Sequence, residues 1–523
     1  MSPTLSQQYL STRGAEYGLS FEDVVLKGLA SDGGLFVPEE IPALPASWET
    51  EWRNLSFEDL AYEIMSLYIS KDEIPADDLK DIIKRSYSTF RHPERTPLFD
   101  LDSKQGLYLL ELFHGPTFAF KDVALQFLGN LFEYFLVRKN QGKTGKDRHH
   151  LTIVGATSGD TGSAAIYGLR GKKDVSVFIT FPNGRVSSIQ EAQMTTVLDA
   201  NVHNLTVEGS FDDCQDIVKA LFADKDLNTT HNIGAINSIN WARILAQMTY
   251  YFYSYFSLTK SPAFTEGSKV RVVVPSGNFG DILAGWFSKQ MGLPADKLVI
   301  ATNENDILDR FFRSGGHYTK KALDTPTDGV KETHSPAMDI LVSSNFERLL
   351  WFLAFRSDNG STASERRKHA CESVSKWLNE LKSQGGFQVP SAVLDGAKAD
   401  FESERVSNDV TIATIRETYV SCNGYVLDPH TAVGIAASRR SIQRNPGVSH
   451  ISLSTAHPAK FASAVDLALR AESGYDFTTI LPQEFIGLEQ RERRVIAVPQ
   501  GAGWEGVKEI VKTEVEKELQ GSH

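Results

Sequence analysis

The chain has 523 residues, of which 41% are hydrophobic and 23% are charged; this is ordinary globular usage and enough length for about two to four domains. No basic block offsets its net charge of −12, so neither nucleic acid nor an anionic membrane surface is expected as the principal partner. Three scattered cysteines, no zinc-ligand spacing, no run of about 18 apolar residues and no secretory signal predict a cytoplasmic protein without a metal site or a disulfide framework.

Residues 1–95 are predicted to form a small, mainly helical N-terminal domain. Ser20 with Asp23 resembles a capping box at a helix start, and a Gly-Gly pair followed by Pro38 is a typical helix stop. The Thr96-Pro97 pair marks a boundary to the region that follows. We expect no chemistry from this N-terminal unit itself.

From residue 107 onward, short apolar runs alternate with helical patterns. The predicted strands cover residues 107–113, 151–155, 175–181, 202–207, 270–274, 298–302 and 448–454. The predicted helices cover residues 123–136, 163–169, 188–198, 213–222, 237–258, 282–291, 307–313, 409–421, 430–441 and 506–519. Such alternation implies βαβ units, a mostly parallel sheet and ligands at the carboxyl ends of its strands.

Two regions depart from this alternation. Residues 315–410 are richer in charge, and we expect them to add helices rather than strands of the main sheet. Residues 461–523 are expected to form a C-terminal segment that ends in a helix.

Lys121 stands out because it lies beside Phe118 and Phe120 and directly before the largely apolar run 123–136. A helix that is apolar nearly all round is buried, so this amine is expected in the interior. A buried ammonium without a partner is costly, and deprotonation or covalent use relieves that cost. A lysine with a lowered pKa suits Schiff-base chemistry, whereas the alternative is a side chain that reaches solvent at the mouth of a core helix.

Three polar loops each follow a predicted strand and precede a helix, at residues 156–162, 274–281 and 454–458. A strand, a glycine-containing loop and a helix N-terminus together form a cradle for an anion. Neither glycine loop is a Walker A motif or a G-x-G-x-x-G motif. Each loop alone fits a structural turn as well as a phosphate site, but two such loops and a buried lysine are a more specific combination.

Four motifs together resemble the threonine synthases, in the branch found in fungi and many bacteria. They are L-F-H-G-P-T-F-A-F-K-D, A-T-S-G-D-T-G-S-A, N-S-I-N-x-x-R-x-x-A-Q and V-P-S-G-N-F-G-D. The resemblance runs from about residue 10 to about residue 460 and includes that family's N-terminal domain. It implies a pyridoxal-phosphate enzyme of the tryptophan-synthase-β type, an α/β fold of two open, twisted, mostly parallel sheets flanked by helices. Residues 96–460 would be the catalytic region of two α/β subdomains.

The resemblance also implies roles for individual residues. Lys121 would be the Schiff-base lysine and general base, and Thr455 would face the pyridine nitrogen of pyridoxal 5'-phosphate. The residues expected around the cofactor phosphate are Gly277, Asn278, Phe279, Gly280 and Asp281. The residues expected to bind substrate are Thr117, Ser158, Gly159, Asp160, Thr161, Ser188, Asn240 and Arg243. The chain departs from many relatives at Asp160, where they carry Asn, and from the wider superfamily at Asp281.

The implied reaction converts O-phospho-L-homoserine and water to L-threonine and phosphate, a step of threonine biosynthesis in the aspartate-family pathway. The implied protein is a monomer or a homodimer, a carbon-oxygen lyase with a small-molecule substrate and no metal. A serine or threonine dehydratase is the alternative enzyme, although its lysine usually follows Ser-Phe, where this chain has Ala119-Phe120. A catalytically inactive relative and a dinucleotide-binding oxidoreductase are the two remaining hypotheses. His114 and His457 are expected to be scaffold residues.

Overall fold

The computed structural model describes residues 7–321 and 329–521. Its strands are β1 (Tyr9–Ser11), β2 (Tyr17–Leu19), β3 (Phe36–Pro38), β4 (Leu98–Asp102), β5 (Leu107–Glu111), β6 (Leu151–Ala156), β7 (Val175–Pro182), β8 (Val202–Val207), β9 (Ile233–Gly234), β10 (Val270–Pro275), β11 (Ala295–Thr302), β12 (His317–Thr319), β13 (Gly386–Gln388), β14 (Phe401–Arg405), β15 (Ser449–Ser454) and β16 (Ile496–Ala497).

Its helices are α1 (Phe21–Lys27), α2 (Trp48–Glu51), α3 (Phe57–Met65), α4 (Ala76–Tyr87), α5 (Lys121–Lys139), α6 (Asp160–Leu169), α7 (Ser188–Thr195), α8 (Phe211–Ala223), α9 (Lys225–His231), α10 (Trp241–Lys260), α11 (Gly280–Met291), α12 (Ile307–Arg313), α13 (Phe346–Ser357), α14 (Ala363–Gln384), α15 (Ser391–Asp400), α16 (Asn408–Ser421), α17 (Pro429–Arg444), α18 (Ala462–Leu469) and α19 (Gly503–Gly521). Within the described ranges, none of these helices has the length and apolar character needed to cross a bilayer.

Two sheets form the framework of the catalytic region. The larger sheet has the strand order β14-β11-β10-β15-β5-β4, and every neighbouring pair is parallel except β4 with β5. The smaller sheet has the order β16-β8-β7-β6-β9 and is parallel throughout. Strands β7, β10 and β15 are buried along their whole length, as expected for parallel strands covered on both faces. This architecture confirms the predicted fold class.

The N-terminal region combines helices α1–α4 with a small antiparallel sheet in the order β2-β1-β3. The predicted capping box is present, because the Ser20 side chain accepts from the Asp23 amide and the Asp23 side chain accepts from the Ser20 amide. Tyr9 and Trp48 of this region pack on Trp241 and Phe252 of α10. The three short strands are an addition to the mainly helical unit that the sequence predicts.

Helix α5 is a largely buried helix, and its first residue is Lys121. Its side chains are almost all buried from Lys121 to Leu136, in agreement with the apolar run in the sequence. Gly129 of α5 lies so close to α6 that a Cβ atom would meet the Gly168 carbonyl oxygen at 1.9 Å. In this packing the first residue of α5, Lys121, contacts the first residue of α6, Asp160.

Three expectations for element boundaries need correction. The expectation of helices without main-sheet strands over residues 315–410 is wrong at β14, which forms an edge of the larger sheet. The sequence F-E-S-E-R hides this strand, because an edge strand tolerates charges and its two glutamates form ion pairs with Arg271 and Arg444. Residues 322–328 of that region lie outside the described part of the chain.

Helix α10 begins at Trp241 and not at residue 237, because Asn240 is its N-cap and its side chain accepts from the Ala242 amide. The C-terminal segment also does more than end in a helix. Strand β16 pairs with β8 at the edge of the smaller sheet, and α19 packs on α8 through a cluster that contains Val507 and Val511.

Candidate active site

Lys121 is buried at the start of α5, with its Nζ 2.5 Å from Oδ2 of Asp160. The segment before it is folded tightly by Asp122, whose carboxylate accepts from both the backbone amide (2.8 Å) and the hydroxyl (2.7 Å) of Thr117. Phe118 adopts a left-handed conformation with φ of 61° in this turn. A Cβ on Gly115 would lie 2.4 Å from Cβ of Asp122, so glycine is required there. These contacts fix the direction in which the Lys121 side chain leaves the backbone.

The loop after β15 lies directly beside this turn. The Phe120 amide donates to the carbonyl of Thr455 at 2.8 Å, and the His457 amide donates to the carbonyl of Phe118 at 3.0 Å. Thr455 is buried, and its own amide donates to the hydroxyl of Thr431 at 3.3 Å. The structure therefore brings together Lys121 and Thr455, which are far apart in the sequence.

Asp160 belongs to the other sheet, since it is the first residue of α6 after β6. Its second oxygen, Oδ1, contacts Nζ of Lys460, a buried lysine that the sequence reasoning missed. Lys460 lies in a short 3-10 turn, Pro458–Phe461, and its Nζ also donates to the carbonyl of Thr117 at 2.9 Å. The only local signal for it is a lone lysine within the run P-A-K-F-A, close after the Thr455 loop.

The pKa values of Lys121 and Asp160 are both shifted below their ordinary values. Burial lowers the pKa of Lys121, and the positive charges of Lys460 and Arg243 act in the same direction, whereas Asp160 acts to raise it. Burial alone would raise the pKa of Asp160, but the charges and hydrogen bonds of the two lysines hold it below its usual range. An amine with a lowered pKa beside an ionised carboxylate can exchange protons with a ligand, which is what a general base requires.

The second glycine loop, at the end of β10, is held by the segment before α13. The hydroxyl of Ser343 donates to the Gly277 carbonyl at 2.7 Å, and the backbone amide of Asn345 donates to the Asn278 carbonyl at 3.0 Å. Phe279 adopts a left-handed conformation with φ of 63°, and α11 begins at Gly280. The loop thus leads into the N-terminus of a twelve-residue helix, where backbone N–H groups favour an anion.

Asp281 is part of this loop in the sequence, but its side chain contacts two tyrosines of α10. The hydroxyls of Tyr250 and Tyr251 donate to Oδ1 of Asp281 at 2.6 and 2.8 Å. Burial raises the pKa of Asp281 to about 6, although both hydrogen bonds lower it. These contacts indicate a role in anchoring α11, whereas direct contact with the cofactor stays a prediction.

The first glycine loop is shaped by Thr157, a residue that the sequence reasoning did not select. Its hydroxyl accepts from the amides of Gly159 (2.9 Å) and Gly162 (2.8 Å). Gly159 has φ of 135°, the Ser158 side chain is exposed and Thr161 is half-buried. The Ser158–Thr161 loop thus contains the same Asp160 that contacts the two lysines.

The remaining predicted substrate residues have other partners. The Asn240 side chain caps α10 and donates to the Val25 carbonyl at 2.9 Å, so it ties the helix to the N-terminal region. Ser188 is exposed, and its hydroxyl donates to Glu489 at 2.7 Å. The Thr117 hydroxyl donates to Asp122, as described above. Arg243 is buried in the first turn of α10, donates from Nη1 to Ile236 at 3.0 Å, and has a pKa lowered by burial to about 10.

The two histidines near the site have scaffold contacts. His114 lies 2.8 Å from Glu111 through Nε2, and His457 accepts from the Ala459 amide at 3.2 Å. Burial lowers the pKa of His457 to about 4, so its ring is neutral at physiological pH.

The geometry fits pyridoxal 5'-phosphate, which the motifs imply. Lys121 would supply the amine for covalent attachment, and the loop from Ser276 to Gly280 would supply an anion cradle. The Ser276 hydroxyl in that cradle is buried and has no hydrogen-bond partner among the described residues, as expected for a group that awaits an anionic ligand.

Three family models match successive parts of the chain. They are "Threonine synthase N terminus" over residues 8–87, "Pyridoxal-phosphate dependent enzyme" over residues 89–347, and "Threonine synthase, C-terminal" over residues 431–511.

Individual relatives are similar over nearly the full chain. The threonine synthase of Schizosaccharomyces pombe is 60% identical, over 93% of this chain and 94% of its own length. The crystal structure of threonine synthase from yeast has a TM-score of 0.91 and 55% identity, and the match covers 98% of this chain and 100% of that one. The pyridoxal-phosphate-bound threonine synthase from Brucella melitensis has a TM-score of 0.84 and 40% identity, with 97% and 99% covered.

Proposed function

The chain belongs to the threonine synthase family of pyridoxal-phosphate-dependent lyases, and we propose that it converts O-phospho-L-homoserine and water to L-threonine and phosphate. The observation that carries this proposal is the buried amine of Lys121, 2.5 Å from Asp160 and beside the loop that contains Thr455. Family membership favours a synthase over a dehydratase, an inactive relative or a dinucleotide-dependent oxidoreductase.

In this proposal the cofactor is held by three parts of the chain. Lys121 binds it covalently, the backbone from Gly277 to Gly280 with the Ser276 hydroxyl holds its phosphate, and Thr455 meets its ring nitrogen. Asp281 supports the phosphate loop from behind through Tyr250 and Tyr251. When bound, pyridoxal phosphate supplies the electron sink that stabilises negative charge beside the substrate's amino group.

Lys121 is proposed to move the protons. Its Nζ takes the proton from Cα of the substrate and returns it at the end of the reaction. The lowered pKa of Lys121 supports this role, because an uncharged amine is needed to accept a proton. Asp160 holds the amine in place through its short contact, and the buried surroundings exclude water from the exchanging proton.

Substrate anions are proposed to bind on two sides of Lys121. The Ser158–Thr161 loop offers backbone amides and hydroxyls at the start of α6 for the carboxylate. Arg243 is the proposed cation for the leaving phosphate, because it is buried in the first turn of α10 and its charge acts on Lys121. Thr117, Ser188 and Asn240 are weaker candidates, since their side chains already contact Asp122, Glu489 and Val25.

One assay tests the proposed reaction. Purified protein with bound cofactor should release inorganic phosphate from O-phosphohomoserine and form threonine in equal amount. Ammonia and a 2-oxo acid from serine or threonine, without phosphate release from O-phosphohomoserine, would identify a dehydratase instead. Borohydride should bleach the yellow protein and fix the cofactor on Lys121, and a colourless protein that takes up no pyridoxal phosphate would overturn the proposal.

A cytoplasmic location is also part of the proposal. Cys214, Cys371 and Cys422 are all free, which suits a reducing compartment. We propose a monomer or a homodimer, and light scattering of the purified protein distinguishes the two.

A further inference from the structure

Lys460 is buried more deeply than Lys121 and contacts the same carboxylate. Its side chain has no solvent exposure, whereas the side chain of Lys121 has 9%. Each lysine approaches a different oxygen of Asp160, so that one carboxylate lies between two ammonium groups. Burying a cation costs free energy unless an opposite charge and hydrogen bonds replace its lost hydration. The burial of a second lysine here therefore calls for a reason.

These contacts connect the two sheets. Asp160 follows β6 of the smaller sheet, whereas Lys121 and Lys460 follow β5 and β15 of the larger sheet. Lys460 also donates to the Thr117 carbonyl, which accepts a further hydrogen bond from Nε2 of Gln193 at 3.2 Å. Lys460 therefore holds Asp160 and the turn before Lys121 in one fixed arrangement that does not depend on the Lys121 amine.

We propose that Lys460 is a positioning residue of the active site, which keeps Asp160 paired and in place when the cofactor takes up the amine of Lys121. The inference rests on the proposed function only in that Lys121 carries the cofactor. Without Lys460, Asp160 would have Lys121 as its single cationic partner and would hold the nitrogen of that lysine protonated. With Lys460 present, the carboxylate is already neutralised and the Lys121 nitrogen can lose its proton.

The charged groups around Lys121 shift its pKa in the directions that this role requires. Lys121 faces Asp160, Lys460 and Arg243, and the last two act to lower its pKa. Lys460 also lies near Asp122, a buried carboxyl whose pKa burial raises to about 6. Removing the charge of Lys460 therefore takes a positive charge away from Lys121 and leaves the negative charge of Asp160 to act on Lys121 alone.

The test is a pH titration of the visible absorbance of the full-length holoenzyme, which reports protonation of the nitrogen that joins Lys121 to the cofactor. Lys460→Met should raise the pKa of this nitrogen by about one pH unit or more, since a nearby like charge has been removed. Lys460→Arg keeps the charge and should titrate close to the unmodified protein. Asp160→Asn should shift the pKa in the opposite direction, a pattern that a merely structural role would not produce.

Lys172→Met is the matched control. Lys172 is a partly buried lysine with an ion pair to Glu133, at the far end of α5 from Lys121, and its loss should leave the titration unchanged. The inference is overturned if Lys460→Met titrates like the unmodified protein. An unmodified protein without a borohydride-sensitive absorbance would instead refute cofactor attachment at Lys121, so the two failures are distinguishable.

A second measurement covers the case in which Lys460→Met does not fold. Acetic anhydride labelling of the unmodified protein, mapped by mass spectrometry, compares both lysines with and without cofactor. Removal of the cofactor should make Lys121 reactive, because its side chain is partly exposed and burial lowers its pKa. Lys460 should stay unreactive, because its side chain has no exposure and also donates to the Thr117 carbonyl. Labelling of Lys460 at the rate of Lys121 in the cofactor-free protein would overturn the inference.

Discussion

The two glycine loops are similar in sequence, but the aspartate that follows each loop has different partners and a pKa shifted in the opposite direction. One follows β6 and the other follows β10, each contains Ser-Gly, and each leads to an aspartate in the first turn of the next helix. Asp160 in the first loop contacts Lys121 and Lys460, and its pKa is held low by them against the effect of burial. Among the described residues, the side chain of Asp281 in the second loop accepts hydrogen bonds only from tyrosine hydroxyls, and burial raises its pKa to about 6.

Local sequence therefore determines the conformation of each loop, whereas distant segments determine the charge around its aspartate. Both loops use glycine and a helix N-terminus to present backbone N–H groups. The partners of Asp160 come from the segments after β5 and β15, and those of Asp281 come from α10. The first setting suits the proton transfer proposed for Lys121, and the second suits the rigid cradle proposed for the cofactor phosphate.

Removing the Lys121 amine should change the activity more than any other substitution considered below. Lys121→Ala is expected to lower turnover by about 10³-fold or more, because it removes the proposed covalent anchor and general base. Phosphate release from O-phosphohomoserine measures the activity, and borohydride followed by peptide mapping measures cofactor attachment. Lys172→Ala serves as the control for loss of a partly buried lysine. Full turnover by Lys121→Ala would remove the assigned base.

Neutralising the first aspartate should destabilise the protein. Asp160→Asn leaves two buried ammonium groups without their counter-charge, and breaking a buried ion pair costs about 4 kcal/mol. The folded pKa of Asp160 lies below its unfolded value, so its contribution is present at neutral pH and is lost as the pH falls. The difference from the unmodified protein in urea unfolding should therefore be large at pH 7 and should shrink only as the pH falls below the ordinary carboxyl pKa of 3.8.

The control for this change is Asp81→Asn, which removes an exposed ion pair with Arg85 and should cost less than about 1 kcal/mol. Equal losses for Asp81→Asn and Asp160→Asn at pH 7 would contradict the assigned role of the two lysines.

Replacing Asp281 with Asn should change the stability of the protein in the opposite direction from Asp160→Asn. The folded pKa of Asp281, about 6, lies above its ordinary value of 3.8, so the contribution of this carboxyl to stability is greatest at low pH and is lost as the pH rises through 6. The gap of about two pH units corresponds to up to about 3 kcal/mol. Asp281→Asn should therefore raise the free energy of unfolding at pH 8 and give little gain at pH 4, as measured by urea unfolding of the cofactor-free protein. A loss of stability at pH 8 would show that the carboxylate form is favoured in the fold.

Much of the fold could be predicted from the sequence because buried parallel strands are continuous apolar runs. The bounds of β6, β7 and β8 agree with the prediction to within one residue, and each is followed by a clear helical pattern. Strands β14 and β16 escaped prediction, since one is rich in charge and the other has only two residues. Their pairing depends on neighbours that are distant in the sequence, which no local pattern can indicate.

The site could be predicted where its residues share one loop. Lys121, the Gly277–Gly280 loop and the Ser158–Thr161 loop lie in local motifs, and the structure brings Lys121 and Asp160 into contact. Lys460 was missed because its partner Thr117 is 343 positions away, and a single lysine in an apolar run has no pattern of its own. The partners of Asn240 and Ser188 depend on the N-terminal and C-terminal segments, so only the fold shows that their side chains are engaged.

A substitution in the closely packed second loop should have a smaller effect, on the dissociation constant of the cofactor. A Cβ on Gly277 would meet the Ala337 carbonyl oxygen and Cα of Met338, both at 3.1 Å, and these backbone atoms cannot rotate away. A Cβ on Gly280 would meet its nearest neighbour, Nδ2 of Asn345, at 3.4 Å, which is nearly ordinary contact. Gly277→Ala should therefore displace the cradle and weaken cofactor binding by about 1 kcal/mol, roughly five- to tenfold in Kd.

Gly280→Ala is the matched control, and it should bind pyridoxal phosphate almost as the unmodified protein does. Fluorescence titration of the cofactor-free proteins measures both dissociation constants. The contrast between the loops becomes sharper with this pair, because displacement of the second loop should leave the absorbance titration of the Lys121 nitrogen unchanged. A shift of that titration in Gly277→Ala would mean that the two loops are coupled and that the charge at Asp160 depends on the cradle as well as on the lysines.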